Sequence, residues 1–212
     1  MNTGDEKRLA LFERFVECVN SELSFLEGMS CPLDKSNSGW SVKYSNDKVI
    51  VSISHTTFCE MDLSISLRGK PGYSVFIEEI VTLVRKKSAD KESGKSGKSG
   101  IIRQYGFAVN DEQVEDAIKE FKELLLQYCG AFLEGEEEGF NEIMARREED
   151  RKEYEKRQAQ RICEEQASKA WKSEDFSRVV SLYESMLEDL TPVQNKKLQI
   201  ARKRVGSLRG RE

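Results

Sequence analysis

The sequence predicts an α+β protein: a small antiparallel sheet of three or four strands covered by helices, followed by a long charged helix and a C-terminal helical hairpin. Three observations predict it. Between residues 40 and 68 apolar and polar side chains alternate, the two-residue period of half-buried strands. Before that stretch, and almost everywhere after Asp111, apolar residues recur at three and four residues, the period of an amphipathic helix. From Phe140 to Trp171 the chain has neither proline nor glycine and is dominated by charge. On this pattern the chain divides into an α+β domain, 1–135, and a helical extension, 136–212.

The first element is a helix over about 5–27, carried by Phe12, Phe15, Val16, Val19, Leu23 and Leu26, with Thr3 and Glu6 at capping-box spacing and Gly28 as its stop. Trp40, Val42 and Tyr44 then alternate with Ser41, Lys43 and Ser45, and Asn46-Asp47 supplies a turn. Val49, Val51 and Ile53 make a second strand, and Met61, Leu63, Ile65 and Leu67 a third. Three sequential short strands form a meander most simply, with one face under helices. Gly69-Lys70-Pro71-Gly72 ends the sheet, and Phe76, Ile77, Ile80, Val81 and Val84 return to helical spacing up to about Lys87. Residues 88–100 hold one alanine and no larger apolar side chain, which predicts a flexible loop. Residues 101–109 are a candidate fourth strand. Asn110 with Gln113 caps a helix through about Glu134, with Val114, Ile118, Phe121, Leu125, Tyr128, Cys129 and Phe132 on its buried face.

The next helix runs from Phe140 to Trp171 and would extend about 48 Å at the standard rise. Between Met144 and Tyr154 only Ala145 is apolar, so its middle must stand in solvent or be covered by another chain. Glu148 with Lys152, and Glu153 with Arg157, are ion pairs at i,i+4 spacing. Further on, Ala167, Ala170, Trp171, Asp175, Phe176, Val179, Val180, Tyr183, Met186, Leu187 and Pro192 fall near the small and large apolar positions of a tetratricopeptide repeat. The segment KAWKSEDFSRVVSLYESMLEDLTP resembles one such helical hairpin, with Trp171 as its packing anchor. It has no second copy near a 34-residue spacing, so it cannot build the peptide groove of a true array. Thr191, Pro192 and Gln194 then open a last helix through about Val205. The first 135 residues, through FERFVECV, WSVKYSNDKVIVSIS and FKELLLQYCGAFLEG, resemble small bacterial immunity-type α+β proteins. That resemblance assigns no functional residue.

Composition narrows the function classes. With 38% hydrophobic and 34% charged residues the chain can fold but must keep part of itself in water, and a net charge of -4 implies no bulk polyanion or membrane partner. The absence of a signal-like start or of a long apolar run predicts a cytoplasmic protein with no membrane partner. The five scattered cysteines predict reduced thiols rather than disulfides.

No residue pattern satisfies a catalytic, nucleotide or metal site. GKSGKSG at 94–100 resembles a phosphate loop, but the positions where the first glycine belongs are Ala89 and Glu92. His55 lies near Cys59, yet a thiol–imidazole pair needs a third group to orient the ring, and none is evident. One histidine and dispersed cysteines give no metal-ligand spacing. The expectation is therefore a chain without catalytic residues or cofactor that binds another protein, as an adaptor or an immunity-type inhibitor, with Arg147, Arg151, Lys152 and Tyr154 as candidate contacts. The alternative is a nucleic-acid-associated protein using the basic C-terminal residues Lys196, Lys197, Arg202, Lys203 and Arg204. Those residues carry no interleaved aromatic to stack a base, and the helix dipole alone accounts for cations near a helix C-terminus.

Overall fold

The computed structural model describes residues 3–34, 40–55, 60–91 and 110–209. The chain forms two compact units, residues 1–145 and 146–212, each with its own apolar core. The fold is α+β, as the periodicity predicts, with one four-stranded antiparallel sheet and helices around it.

In the first unit, α1 (Thr3–Glu22) is followed by the short α2 (Phe25–Gly28), then by β1 (Ser41–Ser45), β2 (Val49–His55), β3 (Met61–Leu67) and β4 (Ser74–Phe76). The sheet order is β1-β2-β3-β4, a simple meander, with Tyr44 opposite Val51 and Val51 opposite Ile65. One face of the sheet is core: Val42, Tyr44, Val49, Val51, Ile53, Met61, Leu63, Ile65 and Val75 are buried with Phe15, Val19 and Leu23 of the helical layer. The β1–β2 turn works through Asn46, whose side-chain oxygen accepts from the backbone N–H groups of Lys48 and Val49 at 2.8 Å each. The Tyr44 hydroxyl donates to the Val19 carbonyl at 3.3 Å, and burial pushes its pKa up to about 12.

Several boundaries differ from the sequence expectation. The first helix breaks at Leu23-Ser24 instead of running on to Glu27, and both Leu23 and Leu26 are buried on either side of the break. Its stop is not Gly28 but Ser30, at φ 60°, with the Cys31 N–H donating to the Leu26 carbonyl at 3.0 Å across the end. Phe76, expected in a helix, lies in β4, because the Gly69–Gly72 turn folds the chain straight back along β3. The Phe76 N–H donates to the Glu79 carboxylate at 2.8 Å, which starts α3 (Ile77–Lys91) one residue later. That helix also includes residues 88–91 of the expected loop. Residues 92–100, and the candidate strand at 101–109, lie outside the described residues.

α4 (Asp111–Tyr128) starts at Asn110, whose side chain accepts from the Gln113 N–H at 2.9 Å. It pauses at Cys129 and continues as α5 (Gly130–Leu133). Gly135, at φ 72°, ends α5 where an added Cβ would lie 2.9 Å from Lys48. The compact units divide after Ala145, while the domains expected from the residue pattern divide after Gly135. The first turns of α6 (Glu137–Lys172) belong to the α+β core, because Phe140 and Ile143 are buried there. Gly139 permits this: a Cβ on it would meet the Phe132 ring at 2.5 Å, and that ring packs 5.0 Å from Phe140.

The second unit holds the rest of α6, α7 (Phe176–Glu184), a 3-10 turn (Leu187–Asp189) and α8 (Pro192–Arg209). Its core is Cys163, Ala167, Ala170, Val179, Tyr183, Leu198 and Ala201. The hairpin forms as the spacing suggests, but its second helix is short and Leu187 is exposed in the 3-10 turn. Trp171 is half-buried, edge-on to Phe176 at 5.4 Å, and the fully buried anchor is Tyr183. The capping box of α8 is made: Thr191 Oγ1 accepts from the Gln194 N–H, and Gln194 Oε1 accepts from the Thr191 N–H.

Glu174, at φ 58°, ends α6 with the Asp175 N–H donating to the Ala170 carbonyl at 2.9 Å. A left-handed non-glycine residue costs about 1–2 kcal/mol, part of which glycine returns as unfolded-chain entropy. Glu174→Gly is therefore expected to stabilise the second unit by about 0.5–1 kcal/mol, read from denaturant unfolding followed by Trp171 fluorescence. A loss of stability would show that Glu174 contributes through its side chain.

Candidate functional site

The exposed stretch of α6 is the feature of this fold that local burial does not explain. Its ends follow the helix dipole, with Glu137 and Glu138 in the first turn and Lys169 and Lys172 in the last. Between Ala145 and Cys163 no residue is buried. The helix is held there by its own charges. Arg151 donates to Glu148 at 2.8 and 3.0 Å and to Glu155 at 2.7 Å, Lys152 lies 3.5 Å from Glu148, Arg157 pairs with Glu153, and Arg161 lies 3.1 Å from Glu165. Both ion pairs expected from the spacing are formed. The Arg151 guanidinium holds the Glu148 carboxyl below its usual pKa.

Of the candidate contacts, Arg151 and Lys152 are exposed but engaged along the helix, and Arg147 is half-buried. Tyr154 is 63% exposed, and two turns further on Ile162 is 53% exposed. Ile162 is not among the contacts expected from the sequence. Its signal was an aliphatic residue beside the buried Cys163, where only one of two neighbours can face the core.

The basic C-terminal residues differ in their partners. Lys197 Nζ donates to Glu164 at 2.9 Å, and Arg202 donates to Glu184 at 2.7 and 3.1 Å. Arg204 lies over the Phe176 ring at 5.9 Å. Lys196 and Lys203 are exposed and make no ion pair among the described residues. Glu164, which the sequence did not single out, is the centre of the second unit's polar contacts: the Tyr183 hydroxyl, Gln194 Nε2 and Lys197 Nζ all donate to it, at 2.8–2.9 Å. Burial pushes its pKa up, but these donors outweigh burial and hold it below the usual carboxylate range.

Elsewhere, among the described residues, the histidine and the cysteines are buried. His55 is buried, stacked on Trp40 at 5.1 Å and tilted against Phe15 at 5.9 Å, and its backbone N–H donates to the Trp40 carbonyl. Cys59 and residues 94–100 lie outside the described residues. Cys18, Cys31, Cys129 and Cys163 are free and buried, and burial pushes the Cys129 thiol up to about 12. A shallow depression beside the β3–β4 turn contains Arg68 and Lys70, which are engaged with the Asn46 carbonyl and with Glu137. Among the described residues no three His, Cys, Asp or Glu side chains come together as a metal site, and no helix is long and apolar enough to cross a membrane.

No protein-family model, curated protein or solved structure matches the chain. The similarity of the C-terminal hairpin to a tetratricopeptide unit therefore rests on its own residues.

Proposed function

We propose that the protein is a non-catalytic protein-binding module, an adaptor or an inhibitor that acts by occupying a partner's surface, and that α6 presents the contact. The observation that carries this reading is the stretch from Arg146 to Ile162, a continuous run without a buried residue on which Tyr154 and Ile162 are left exposed. A tyrosine and an aliphatic side chain on a rigid helix suit an interface centre, where aromatic anchors dominate binding energy. Arg151, Lys152 and Arg157 are satisfied along the helix and Lys156 by Asp189, so these charges frame the contact without requiring a counterion from the partner.

The test places a photo-crosslinking residue at position 154, at position 162 and, as a control, at position 52 on the solvent side of the sheet, in cells that make the protein natively. One protein captured from both α6 positions and not from position 52 is the expected result. Tyr154→Ser with Ile162→Ser should abolish that capture while changing stability by no more than about 0.5 kcal/mol, as for exposed positions in general. Capture that survives this pair of changes but is lost on substitutions in the sheet would assign binding to the first unit instead.

A further inference from the structure

The charge of this chain is unevenly divided. Residues 1–145 hold 17 Lys and Arg against 25 Asp and Glu, a formal -8, and residues 146–212 hold 17 against 13, a formal +4, which together give the chain's -4. Arg151 and Arg157 are spent on pairs along their own helix, and Lys156, Lys197 and Arg202 on pairs with other elements of the second unit. Among the described residues without an ion pair, one helix face of the first unit and one of the second are of opposite sign.

On α8, Val193, Lys196, Ile200 and Lys203 recur at three and four residues and so share one side of the helix. Val193 is 66% exposed and Ile200 40%, while Lys196 and Lys203 have no ion-pair partner among the described residues. On α4, Glu112, Asp116, Glu120 and Glu123 also lie along one side, all exposed and without an ion pair among the described residues. Leu126, 61% exposed, follows Glu123 by one turn. Lys196 and Lys203 are seven residues apart, as are Asp116 and Glu123, so each pair spans about 10 Å of helix.

We propose that the basic, aliphatic face of α8 docks on the acidic face of α4 of a second copy of this chain. The match is in sign, in spacing and in the apolar residues that accompany the charges. A phosphate backbone would satisfy the two lysines but leave Val193 and Ile200 facing nothing apolar, whereas Leu126 on α4 answers them. The contact joins different surfaces of the two copies: formed reciprocally it closes a two-fold dimer, and formed once per copy it propagates into a ring or an open chain. Exposed ion pairs contribute little each and are screened by salt, so the association is weak, concentration-dependent and strongest at low ionic strength. It uses neither Tyr154 nor Ile162, so it stands or falls independently of the α6 reading.

Sedimentation equilibrium of the full chain, from low micromolar to several hundred micromolar and at low and high salt, tests this. The expected result is a mean mass that rises with concentration and returns to that of the monomer at high salt. Lys196→Glu with Lys203→Glu, and separately Asp116→Lys with Glu123→Lys, should each weaken association at least about tenfold, the scale at which losing two complementary pairs is readable. An equimolar mixture of the two variants should associate again, because the reversed α8 of one now meets the reversed α4 of the other. Circular dichroism checks that each variant keeps its fold, and Glu112→Lys with Glu120→Lys replaces the α4 variant if it does not. A monomer at every concentration, association indifferent to either reversal, or a mixture that stays monomeric would overturn the proposal. Retention of a monomeric protein on duplex DNA through Lys196 and Lys203 would also overturn it, in favour of a nucleic-acid partner.

Discussion

Phe140→Ala is expected to destabilise the first unit by about 3–5 kcal/mol, the usual range for deleting a fully buried aromatic ring. Phe140 is completely buried and its ring lies 5.0 Å from Phe132, so the deleted atoms leave a hole beside α5 within the core of the first unit. The two tryptophans make the assignment readable, since Trp40 lies in the first unit and Trp171 in the second. In a Trp171→Phe background the unfolding transition seen by Trp40 should move to lower denaturant. In a Trp40→Phe background the transition seen by Trp171 should move far less. The opposite pattern would show that α6 begins as part of the C-terminal unit, as the residue pattern alone suggests.

The second large effect is Tyr183→Ala, expected to cost the C-terminal unit about 3–5 kcal/mol through the cavity it leaves. Tyr183→Phe separates packing from polarity. It keeps the ring and loses one hydrogen bond to a carboxylate that still holds Gln194 and Lys197, so it should cost about 1–2 kcal/mol. The same network predicts a pH dependence. Glu164 has a folded pKa below its unfolded value, so its contribution is fully present above about pH 4.3, the ordinary value for glutamate, and is lost as pH falls through the folded pKa. Acid titration followed by Trp171 fluorescence should show this loss, and Glu164→Gln should flatten it. A second unit equally stable at pH 3 and pH 7, with Glu164 intact, would show that these hydrogen bonds add nothing net.

The strands were readable because their period is local. In β2 and β3 every second residue is buried, and the polar residues between them occupy the other face, so alternation in sequence is alternation in space. The caps at Asn110 and Thr191 were readable for the same reason, since a side chain and a backbone N–H three residues on need no distant partner. The helix ends at Ser30 and Glu174 were not. Both residues adopt a conformation that glycine accepts more easily, and it is the packing of the chain on either side that holds them there.

The candidate surface divides in the same way. Residue pattern alone determined that α6 has a middle too polar to bury and that Glu148 with Lys152, and Glu153 with Arg157, pair at i,i+4 spacing. It could not show which exposed residues remain unsatisfied. That depends on partners far apart in sequence: Lys197 is drawn to Glu164 and Arg202 to Glu184, while Lys196 and Lys203 in the same run are left in solvent. Nor could it show where α6 changes allegiance, because Phe140 and Ile143 read simply as apolar residues on a charged helix until the α+β core closes over them. Period, capping and i,i+4 pairing are properties of neighbouring residues and are set by the sequence itself. Burial, long-range ion pairing and the boundary between the units are set by which surfaces meet, and only the tertiary structure decided those.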